Sequence, residues 1–276
     1  MSQMMIQAAV TMNQLQQKMD IIGNNMANSQ TTGYKTRQAD FASLLFQQID
    51  NLTDPANAEG RLTPDGIRVG SGARIAQTVI DLSPGTMRQT DRSLDVALPE
   101  ENHLFQIQVT ENGVQETRYT RDGAFYLNPV NNNQDVMLTT GEGYPIVGTN
   151  GPIIIPEGFD AITVRENGQI TVQRGELTEV AGEIAVVEAV RPRILEAMGT
   201  NTFRLPDLEA LGLDQGEIIQ EAGGNNLLQS GVLETSNVDI GKQMTDLINA
   251  QRSYQFQART ISMGDQMMGL VNQLRS

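Results

Sequence analysis

The stretch NNMANSQTTGYKTRQADF, residues 24–41, lies where an amphipathic pattern stops and a less regular sequence begins. It is rich in side-chain amides and hydroxyls, and it contains one glycine, Gly33. Asn24, Asn25 and Asn28 fall where the last main-chain carbonyls of a helix lack intrahelical partners. The two threonines before Gly33 suit a sharp exit from that helix. The stretch therefore predicts that a long N-terminal helix ends here and a different structure begins.

Apolar residues recur three and four residues apart before this stretch, which is the heptad spacing of a helix that packs against another helix. At 1.5 Å per residue such a helix is roughly 40 Å long. The same spacing returns near the C-terminus, where Ser236 followed by Asp239 is typical of a capping box. The N-terminal seam consists of Met5, Ala8, Met12, Leu15, Met19, Ile22 and Met26, and the C-terminal seam of Ile240, Met244, Leu247, Tyr254, Ala258, Ile261 and Met268.

Neither seam can be buried by its own helix, so each needs a partner. The first candidate is the helix at the other end of the chain, and we expect the two helices to pair as a coiled coil. The methionines and glutamines also suit contact with further helices, because methionine is adaptable and glutamine both donates and accepts. On periodicity alone, an ordinary helical subdomain remains an alternative.

Between the two ends the pattern is that of strands. All 10 prolines lie between Pro55 and Pro206, and turn residues bound short β-branched or aromatic runs from about residue 70 to 205. VTENGVQ (109–115) and VRENGQI (164–170) place Asn-Gly between two such runs, which predicts type I′ turns. The predicted fold is a mainly β middle domain inserted between N- and C-terminal α-helices that pair as a coiled coil.

The sequence predicts three regions. Residues 1–30 with 237–276 form the terminal helical coiled-coil domain, and residues 71–205 form an antiparallel β-rich outer domain. Residues 31–70 with 206–236 are rich in turn signals and form an extended connecting region. With 276 residues, 39% of them hydrophobic, the chain is long enough to bury a sizeable core.

Charge and hydropathy exclude several classes of function. The net charge of −14 and the pI near 4.5 argue against binding of nucleic acid or of an anionic membrane surface. Almost all the negative charge lies in the middle, since residues 239–276 carry four basic and three acidic groups. No apolar run approaches the roughly 18 residues of a membrane span, and the N-terminal sequence lacks the pattern of a cleaved signal peptide. We therefore expect no membrane insertion.

The residues offer little for catalysis or cofactor binding. There is no cysteine, and the only histidine, His103, has no second histidine or thiol to form a metal site, so it receives no role. Asp95 and Asp122 could form a glycosidase-like carboxylate pair, but Asp122 before Gly123 is equally what a turn requires. Phosphate loops, nucleophile elbows and zinc spacings are absent from the sequence. We expect no catalytic residue, no cofactor and no metal, and we expect the function to lie in assembly.

Two motifs at opposite ends of the chain carry a resemblance. NNMANSQTTGYKTRQADF resembles the N-terminal signature of the flagellar rod and hook axial proteins, and GVLETSNVDIGKQMTDLINAQRSYQ (231–255) resembles their C-terminal signature. PGTMRQTDRSLDVAL and YTRDGAFYL are similar to the β-domain of distal-rod-type members, but LPEENHLF stands where those members continue with Gly-x-Gly-Phe-Phe. The matching residues are Asn24, Asn25, Ala27, Asn28, Thr31, Gly33, Tyr34, Lys35 and Phe41 at one end and Gly231, Leu233, Glu234, Ser236, Asn237, Val238, Arg252 and Tyr254 at the other.

The resemblance implies a structural subunit of the bacterial flagellar basal body, in the distal rod or rod–hook region, needed for motility and without catalysis. Its partners would be further copies of itself, adjacent rod and hook proteins, the flagellar export apparatus and the rod cap. It would lie outside the cytoplasmic membrane after export without a cleaved signal peptide. The alternatives are a hook or hook-associated junction protein, or a secreted cell-wall glycan hydrolase.

The resemblance also implies a place for each part of the chain. Terminal helices of the family form an inner coiled-coil layer, where the two seams would lie, and the β-domain lies outside it. The polar stretch 24–41 would then act as a hinge, where the end of the N-terminal helix meets another part of the chain or of a neighbouring subunit. A helix end alone explains only some of its polar side chains, and the hinge accounts for the others.

Overall fold

The computed structural model describes residues 2–43, 46–49, 67–70, 73–111, 113–131, 134–224 and 226–275. These residues form an N-terminal helix, a mainly β middle region and a C-terminal helix, in the order predicted from the sequence. The chain divides into two compact units. The first unit comprises residues 1–24, 37–79 and 241–276, and the second comprises residues 25–36 and 80–240.

Two long helices supply most of the first unit. The helices of the chain are α1 (Ser2–Ala27), α2 (Leu208–Leu211) and α3 (Ile240–Arg275). The first unit also contains the strands β1 (Arg37–Ser43), β2 (Phe46–Ile49), β3 (Ile67–Gly70) and nearly all of β4 (Ala73–Ile80). Strand β1 pairs with β4, and β2 pairs antiparallel with β3. The connection expected to be loop-rich thus contains paired strands, while residues 50–66 lie outside the described residues.

The α1 seam is the sheltered side of its helix. Ala8 and Ile22 are buried and the other five seam residues are half-buried, whereas Ile6, off the seam, is 62% exposed. Met5 lies close to α3, because a Cβ added to Gly264 would be 3.1 Å from its Cγ. The heptad spacing therefore identified the face of α1 that avoids solvent.

The α3 seam is only partly sheltered. Leu247, Tyr254, Ala258 and Ile261 are half-buried, but Ile240, Met244 and Met268 are 48%, 53% and 43% exposed. Among the residues of α3 whose burial is described, the buried ones are instead Gln243, Ala250 and Gly264. Small and polar residues thus occupy buried positions of α3, which a pattern of large apolar side chains does not identify.

The second unit is built from short strands. In chain order they are β5 (Met87–Gln89), β6 (Val96–Ala97), β7 (His103–Glu111), β8 (Val114–Thr120), β9 (Tyr126–Val130), β10 (Asp135–Thr139), β11 (Val147–Gly148), β12 (Gly151–Pro152), β13 (Ile154–Pro156), β14 (Ala161–Val164), β15 (Gln169–Arg174), β16 (Leu177–Glu183), β17 (Val186–Ala189), β18 (Glu196–Met198), β19 (Thr202–Arg204), β20 (Ile219–Glu221), β21 (Gln229–Ser230) and β22 (Val232–Glu234).

The largest sheet has the order β18-β19-β8-β7-β17-β20, and all neighbouring strands are antiparallel. Because successive side chains of a strand face opposite sides, β7 contributes to two cores. Phe105 and Ile107 belong to one core, where Phe105 packs edge-to-face on Phe125 with ring centroids 5.0 Å apart. Leu104 belongs to the other core, which also contains Phe203. This sheet provides the rigid support for the residues described below.

Both predicted Asn-Gly hairpins are present, but the second has a different turn. The β7–β8 hairpin closes with Glu111 opposite Val114, and Asn112 lies outside the described residues. In the β14–β15 hairpin, the N–H of Gly168 donates to the carbonyl of Arg165 at 3.0 Å and Gly168 has φ +91°. Among the described non-glycine residues only Asn102 and Asn131 have positive φ. The type I′ prediction is wrong here, because the glycine alone takes the left-handed conformation and forms a bulge after the turn.

The start of α3 also differs from the prediction. The helix begins at Ile240, three residues later than a cap at Ser236 requires. The Ser236 hydroxyl accepts from the N–H of Val238 at 3.3 Å, before the helix begins. The capping-box prediction is therefore wrong in register, and residues 236–239 keep a non-helical conformation. In the part of the chain that is described, no helix is both long and apolar enough to cross a membrane.

Candidate functional site

The segment that follows α1 and the segment that precedes α3 meet in the second unit. The N–H of Gly33 donates to the main-chain carbonyl of Glu234 at 2.9 Å, and β22 pairs antiparallel with β5. Gly33 has φ +65°, and a Cβ added to it would lie 2.6 Å from the main chain of Arg121. Glycine is therefore required here by conformation and by space. We call residues 25–36, 81–85, 121–122 and 231–237 together the terminal joint.

Glu234 lies between two cations inside the terminal joint. Lys35 Nζ is 2.6 Å from its Oε1, and Arg121 Nε is 2.7 Å from its Oε2. None of the three side chains is more than 1% exposed. The N–H of Gly85 also donates to Oε1, at 2.7 Å. Lys35 and Glu234 are 199 residues apart in the sequence, so this ion pair connects the two ends of the chain.

Arg121 connects the joint to the turn that precedes β7. Its Nη1 donates to the carbonyl of His103 at 3.0 Å, and its Nη2 donates to the carbonyls of Leu98 at 3.0 Å and Glu100 at 2.7 Å. The planar guanidinium thus donates in several fixed directions, which a lysine ammonium on a flexible stem cannot reproduce.

Burial and charge determine the protonation of this cluster. Burial lowers the pKa of Lys35 to about 8, and the Arg121 guanidinium acts in the same direction, whereas Glu234 opposes it. Burial raises the pKa of Glu234, but the charges of Arg121 and Lys35 outweigh burial and hold that pKa below its usual range. At neutral pH the cluster therefore carries two positive charges around one carboxylate.

Asn237 makes a second connection between the ends of the chain. Its Oδ1 accepts from the N–H and from the hydroxyl of Thr36, each at 2.8 Å. Its Nδ2 donates to the carbonyls of Asp81 at 2.9 Å and of Ser83 at 3.0 Å. One amide thus binds two chain segments at once, which requires both its donor and its acceptor.

The polar residues after α1 have definite partners. The hydroxyl of Tyr34, a fully buried residue, donates to Asn25 Oδ1 at 3.0 Å. The hydroxyl of Thr32 donates to Asp122 Oδ1 at 3.0 Å, and its carbonyl accepts from Asn201 Nδ2 at 2.6 Å. The polar side chains of residues 25–34 thus bind partners within the second unit.

The structure separates the predicted site residues into two groups. Residues Asn25, Ala27, Asn28, Thr31, Gly33, Tyr34, Lys35, Gly231, Leu233, Glu234, Ser236 and Asn237 belong to the terminal joint, and Val238 follows it directly. Asn24, Phe41, Arg252 and Tyr254 belong to the first unit, and the side chain of Phe41 lies outside the described residues. Sequence reasoning missed Arg121 and Asn201, because no spacing connects them with either end. The only available signal was the position of Arg121 inside the YTRDG stretch of the middle resemblance.

The other residues considered for catalysis or metal binding are Asp95, Asp122 and His103. Asp122 Oδ1 accepts from the N–H of Ala124 at 3.1 Å, as a turn requires, and burial raises its pKa. Asp95 accepts from the hydroxyl of Thr90 at 2.8 Å and from Arg92 at 3.0 Å. His103 is buried at the start of β7, and burial lowers its pKa. In the described ranges, no group of three His, Cys, Asp or Glu side chains is placed to hold a metal ion.

Comparison with known proteins matches an N-terminal, a middle and a C-terminal segment of the chain to family models. Residues 7–35 match the family model "Flagella basal body rod protein", residues 100–172 match "Flagellar hook protein FlgE/F/G D1 domain", and residues 229–274 match "Flagellar basal body rod FlgEFG protein C-terminal". The flagellar hook-basal body complex protein FlhP of Bacillus subtilis (strain 168) is 40% identical over 276 residues, 98% of either chain. The chain belongs to the flagellar basal-body rod protein family.

Further members of the family align over nearly their whole length. The flagellar basal-body rod protein FlgG of Borreliella burgdorferi is 34% identical over 274 residues, 97% of either chain. FlgG of Caulobacter vibrioides is 32% identical over 271 residues, 98% of either chain. Each of the three family models contributes one member of the buried ion cluster, since Lys35, Arg121 and Glu234 fall in different matched segments. The terminal joint is therefore the place where the three family segments meet.

Proposed function

We propose that this chain polymerises helically through its two terminal helices and forms part of the distal rod or the rod–hook region. Membership of the family gives it a structural role in the flagellar rod and a flagellar location. It assembles there with other rod and hook components, as the family implies. The helical polymerisation and the position in the rod are our proposal.

The apolar surface of α3 carries this proposal. Soluble monomers rarely expose large contiguous apolar patches, and such patches mark interaction sites. Contacts that repeat between copies without closing a ring can cover such a surface along a tube. The exposed large apolar residues of α3 are Ile240, Met244, Ile248, Phe256, Met263, Met267, Met268, Leu270, Val271 and Leu274. A single chain leaves all of them in contact with water.

In the same proposal, α1 and α3 pair as a coiled coil. Both helices belong to the first unit, and Met5 lies next to Gly264. Side chains of both helices, including Met12, Tyr254 and Ile261, line one open cavity of about 480 Å³. We retain the three-region division, with 1–30 and 237–276 as the helical domain, 31–70 and 206–236 as the connection, and 71–205 as the outer domain.

We further propose that the terminal joint is the hinge between the helical and β-rich parts of the subunit. The buried ion cluster and the Asn237 contacts support this role, because they hold both connecting segments in one place. The chain would be exported by the flagellar export apparatus without a cleaved signal peptide and assemble beneath the rod cap, outside the cytoplasmic membrane. It would act without catalysis, cofactor, nucleic acid or membrane insertion.

The alternative places are the hook or the hook junction, and electron cryo-microscopy of isolated basal bodies tests them. Density for this chain is expected in the rod; density confined to the hook would contradict the proposal.

Three substitutions in the terminal joint, Asn25→Ala, Asn28→Ala and Gly33→Ala, test the hinge. Gly113→Ala is the matched control, because a Cβ added at Gly113 has no atom within 4 Å. Normal rods and normal motility in all three joint variants would contradict the proposed hinge role.

The remaining alternative is a glycan hydrolase. Such an enzyme would release cell-wall fragments, and Asp95→Asn or Asp122→Asn would abolish that release.

A further inference from the structure

The C-terminal half of α3 carries a second apolar row. From Phe256 onward, large apolar side chains recur after seven, four, three and four residues, which is heptad spacing. With 3.6 residues per turn, this row lies roughly 160° around the helix from Tyr254 and Ile261, which line a cavity together with α1. The members of the row are between 48% and 89% exposed. We call Phe256, Met263, Met267, Leu270 and Leu274 the outer row.

The last turns of α3 project beyond the start of α1. The two helices run antiparallel, because Met5 lies next to Gly264 while Ile22 and Gln243 line one common cavity. Residues 265–275 of α3 follow this contact, whereas only residues 2–4 of α1 precede it. At 1.5 Å per residue, α3 therefore projects about 12 Å past α1. The outer row thus continues onto a part of α3 that has no α1 beside it.

A groove lies on the opposite side of α3 from the outer row. Ala9 and Asp20 of α1 mark its two ends, and Tyr254 and Ile261 of α3 form the facing wall. Its volume is about 480 Å³. Since one water takes about 30 Å³ in the liquid, the groove has room for several large side chains. We call this groove, formed by residues 9–20, Tyr254 and Ile261, the helix groove.

The outer row and the helix groove carry opposite charges. Asp20 is the one charged residue among the described residues that line the groove. Residues 256–274 contain Arg259 and Asp265 as their charged residues; Arg259 lies beside the outer row, and Asp265 lies on the opposite side of the helix. Asp20 and Arg259 are both exposed, and neither forms an ion pair with another described residue. Opposite charges at these positions favour contact between the two surfaces.

The spacing of residues matches as well. Arg259 precedes Leu270 by 11 positions, and Asp20 follows Ala9 by 11 positions. A second α3 that lies antiparallel to α1, with its Arg259 beside Asp20, therefore brings its Leu270 to the height of Ala9, about 16 Å along the axis. In this register Met263 and Met267 lie over the middle of the helix groove.

We propose that the outer row of one copy packs into the helix groove of a second copy. This inference rests on the proposed helical polymerisation and names the two surfaces that meet. A second copy fits because each chain leaves both surfaces open and their charges and spacing are complementary. Since the two surfaces lie on opposite sides of α3, a copy whose outer row is bound still offers its groove, so the contact repeats without closing. Two outer rows packed on each other would instead stop at a dimer and leave both grooves empty.

Disulfide trapping in isolated rods tests this contact, because the chain has no cysteine of its own. In the proposed register Asn13 of one copy and Met267 of the next lie within about one residue of the same height. Within a single chain they lie roughly 16 Å apart along the helices, beyond the ~7 Å that a disulfide can bridge between Cα atoms. Any disulfide between them therefore joins two copies.

The chain with Asn13→Cys and Met267→Cys is expected to give a ladder of dimers, trimers and longer multiples after mild oxidation of rods. The matched control combines Asn13→Cys with Asp265→Cys, which lies on the opposite side of α3, and is expected to remain monomeric. Met267→Cys alone is also expected to remain monomeric. Its cross-linking into dimers would indicate that two outer rows pack on each other and would overturn the proposal.

The number of rods per cell gives a second readout. Leu270→Glu is expected to lower this number roughly tenfold or more, since it replaces a buried apolar contact between copies by a charge. Ser262→Glu adds the same charge at an exposed position outside both surfaces and should leave the number within about twofold. The far-ultraviolet circular dichroism of the purified Leu270→Glu chain should match that of the unaltered chain, because the substitution is at the surface of the monomer.

Three further results would overturn the contact. They are a monomeric double-cysteine chain in rods that contain it, a cross-link only to a protein of different mass, and normal rods in the Leu270→Glu strain. If the unaltered chain is itself absent from rods, the proposed function fails. If the chain is present in rods but the ladder is absent, this contact alone is wrong.

Discussion

Replacement of Glu234 by glutamine tests the buried ion cluster most directly. The substitution keeps the side-chain volume and one carbonyl acceptor, but it removes the negative charge that contacts both Lys35 and Arg121. Removing one partner of a buried ion pair typically costs about 3–5 kcal/mol, because a charge remains buried without compensation. Against a typical total of about 5–15 kcal/mol, this loss is a large fraction of the stability of the second unit.

Replacement of Lys35 by methionine is expected to be much milder, at about 1 kcal/mol. Arg121 still pairs with Glu234, and Gly85 still donates to the carboxylate. The carbonyl of Ser83, which Lys35 contacts at 2.7 Å, still accepts from Asn237. The double variant is expected to cost less than the sum of the two single variants, since its glutamine faces one cation instead of two.

Urea unfolding of the full chain measures these differences. The protein has no tryptophan, so near-ultraviolet circular dichroism reports its tyrosines, of which Tyr34 and Tyr119 are buried in the second unit. Glu221→Gln, at an exposed position, is the matched control and should change the free energy of unfolding by less than about 0.5 kcal/mol. Two results would refute the account that one carboxylate compensates two buried cations. The first is that Glu234→Gln lowers the free energy of unfolding by no more than Lys35→Met does. The second is that the effects of the two single variants on this free energy add exactly in the double variant.

The pH dependence of unfolding gives an independent check on the same cluster. The pKa of Lys35 is about 8 in the folded protein against 10.5 as its ordinary value. Between these two values the unfolded chain holds a proton that the folded chain has lost, so the contribution of Lys35 to stability rises with pH across this window. The Lys35→Met variant should lack that rise, while the Glu221→Gln control should retain it.

Three further predictions follow from the same geometry. Gly33→Ala should lower the free energy of unfolding by about 2 kcal/mol or more, because it adds a main-chain collision to a positive φ; Gly113→Ala, with positive φ but open space, should cost about 1 kcal/mol. Asn237→Ala should cost about 2–3 kcal/mol in urea unfolding, since it leaves buried Thr36 groups without their acceptor; an effect under 0.5 kcal/mol would contradict the connection. As the pH falls through 6.5, stability should decrease in part because the unfolded chain protonates His103 more readily than the folded chain; His103→Gln should reduce that decrease in the urea midpoint.

Sequence reasoning succeeded where the physical signal is local and periodic. The heptad spacing around Ala8 and Ile22 identified the sheltered face of α1, and the cluster around Gly33 located the end of that helix. The β-branched runs identified β7, β8, β14 and β15. Each of these signals lies within a few residues, so the physics that produces it is present in any short window of the chain.

The same reasoning failed where the outcome depends on neighbours in space. Asn167 preceding Gly168 resembles a type I′ turn, but only the glycine takes the left-handed conformation. Ser236 and Asp239 resemble a helix cap, but the intervening Asn237 binds the segments at residues 36 and 81–83, and α3 starts later. On α3, Met244 is exposed while Gln243 is buried, the reverse of their hydrophobicity. Gly264 is buried next to Met5 of α1, a proximity that hydrophobicity alone does not predict.

The sequence by itself determined the order of helix, β region and helix, the end of α1 and the family resemblance carried by the two terminal motifs. It also identified Lys35 and Glu234 as members of those motifs. Only the tertiary structure decided that they form one buried ion pair, that Arg121 completes it, and that Asn237 joins two chain segments. The reason is physical: helix and strand patterns follow from interactions a few residues apart, whereas a buried charge finds its partner wherever the folded main chain brings one.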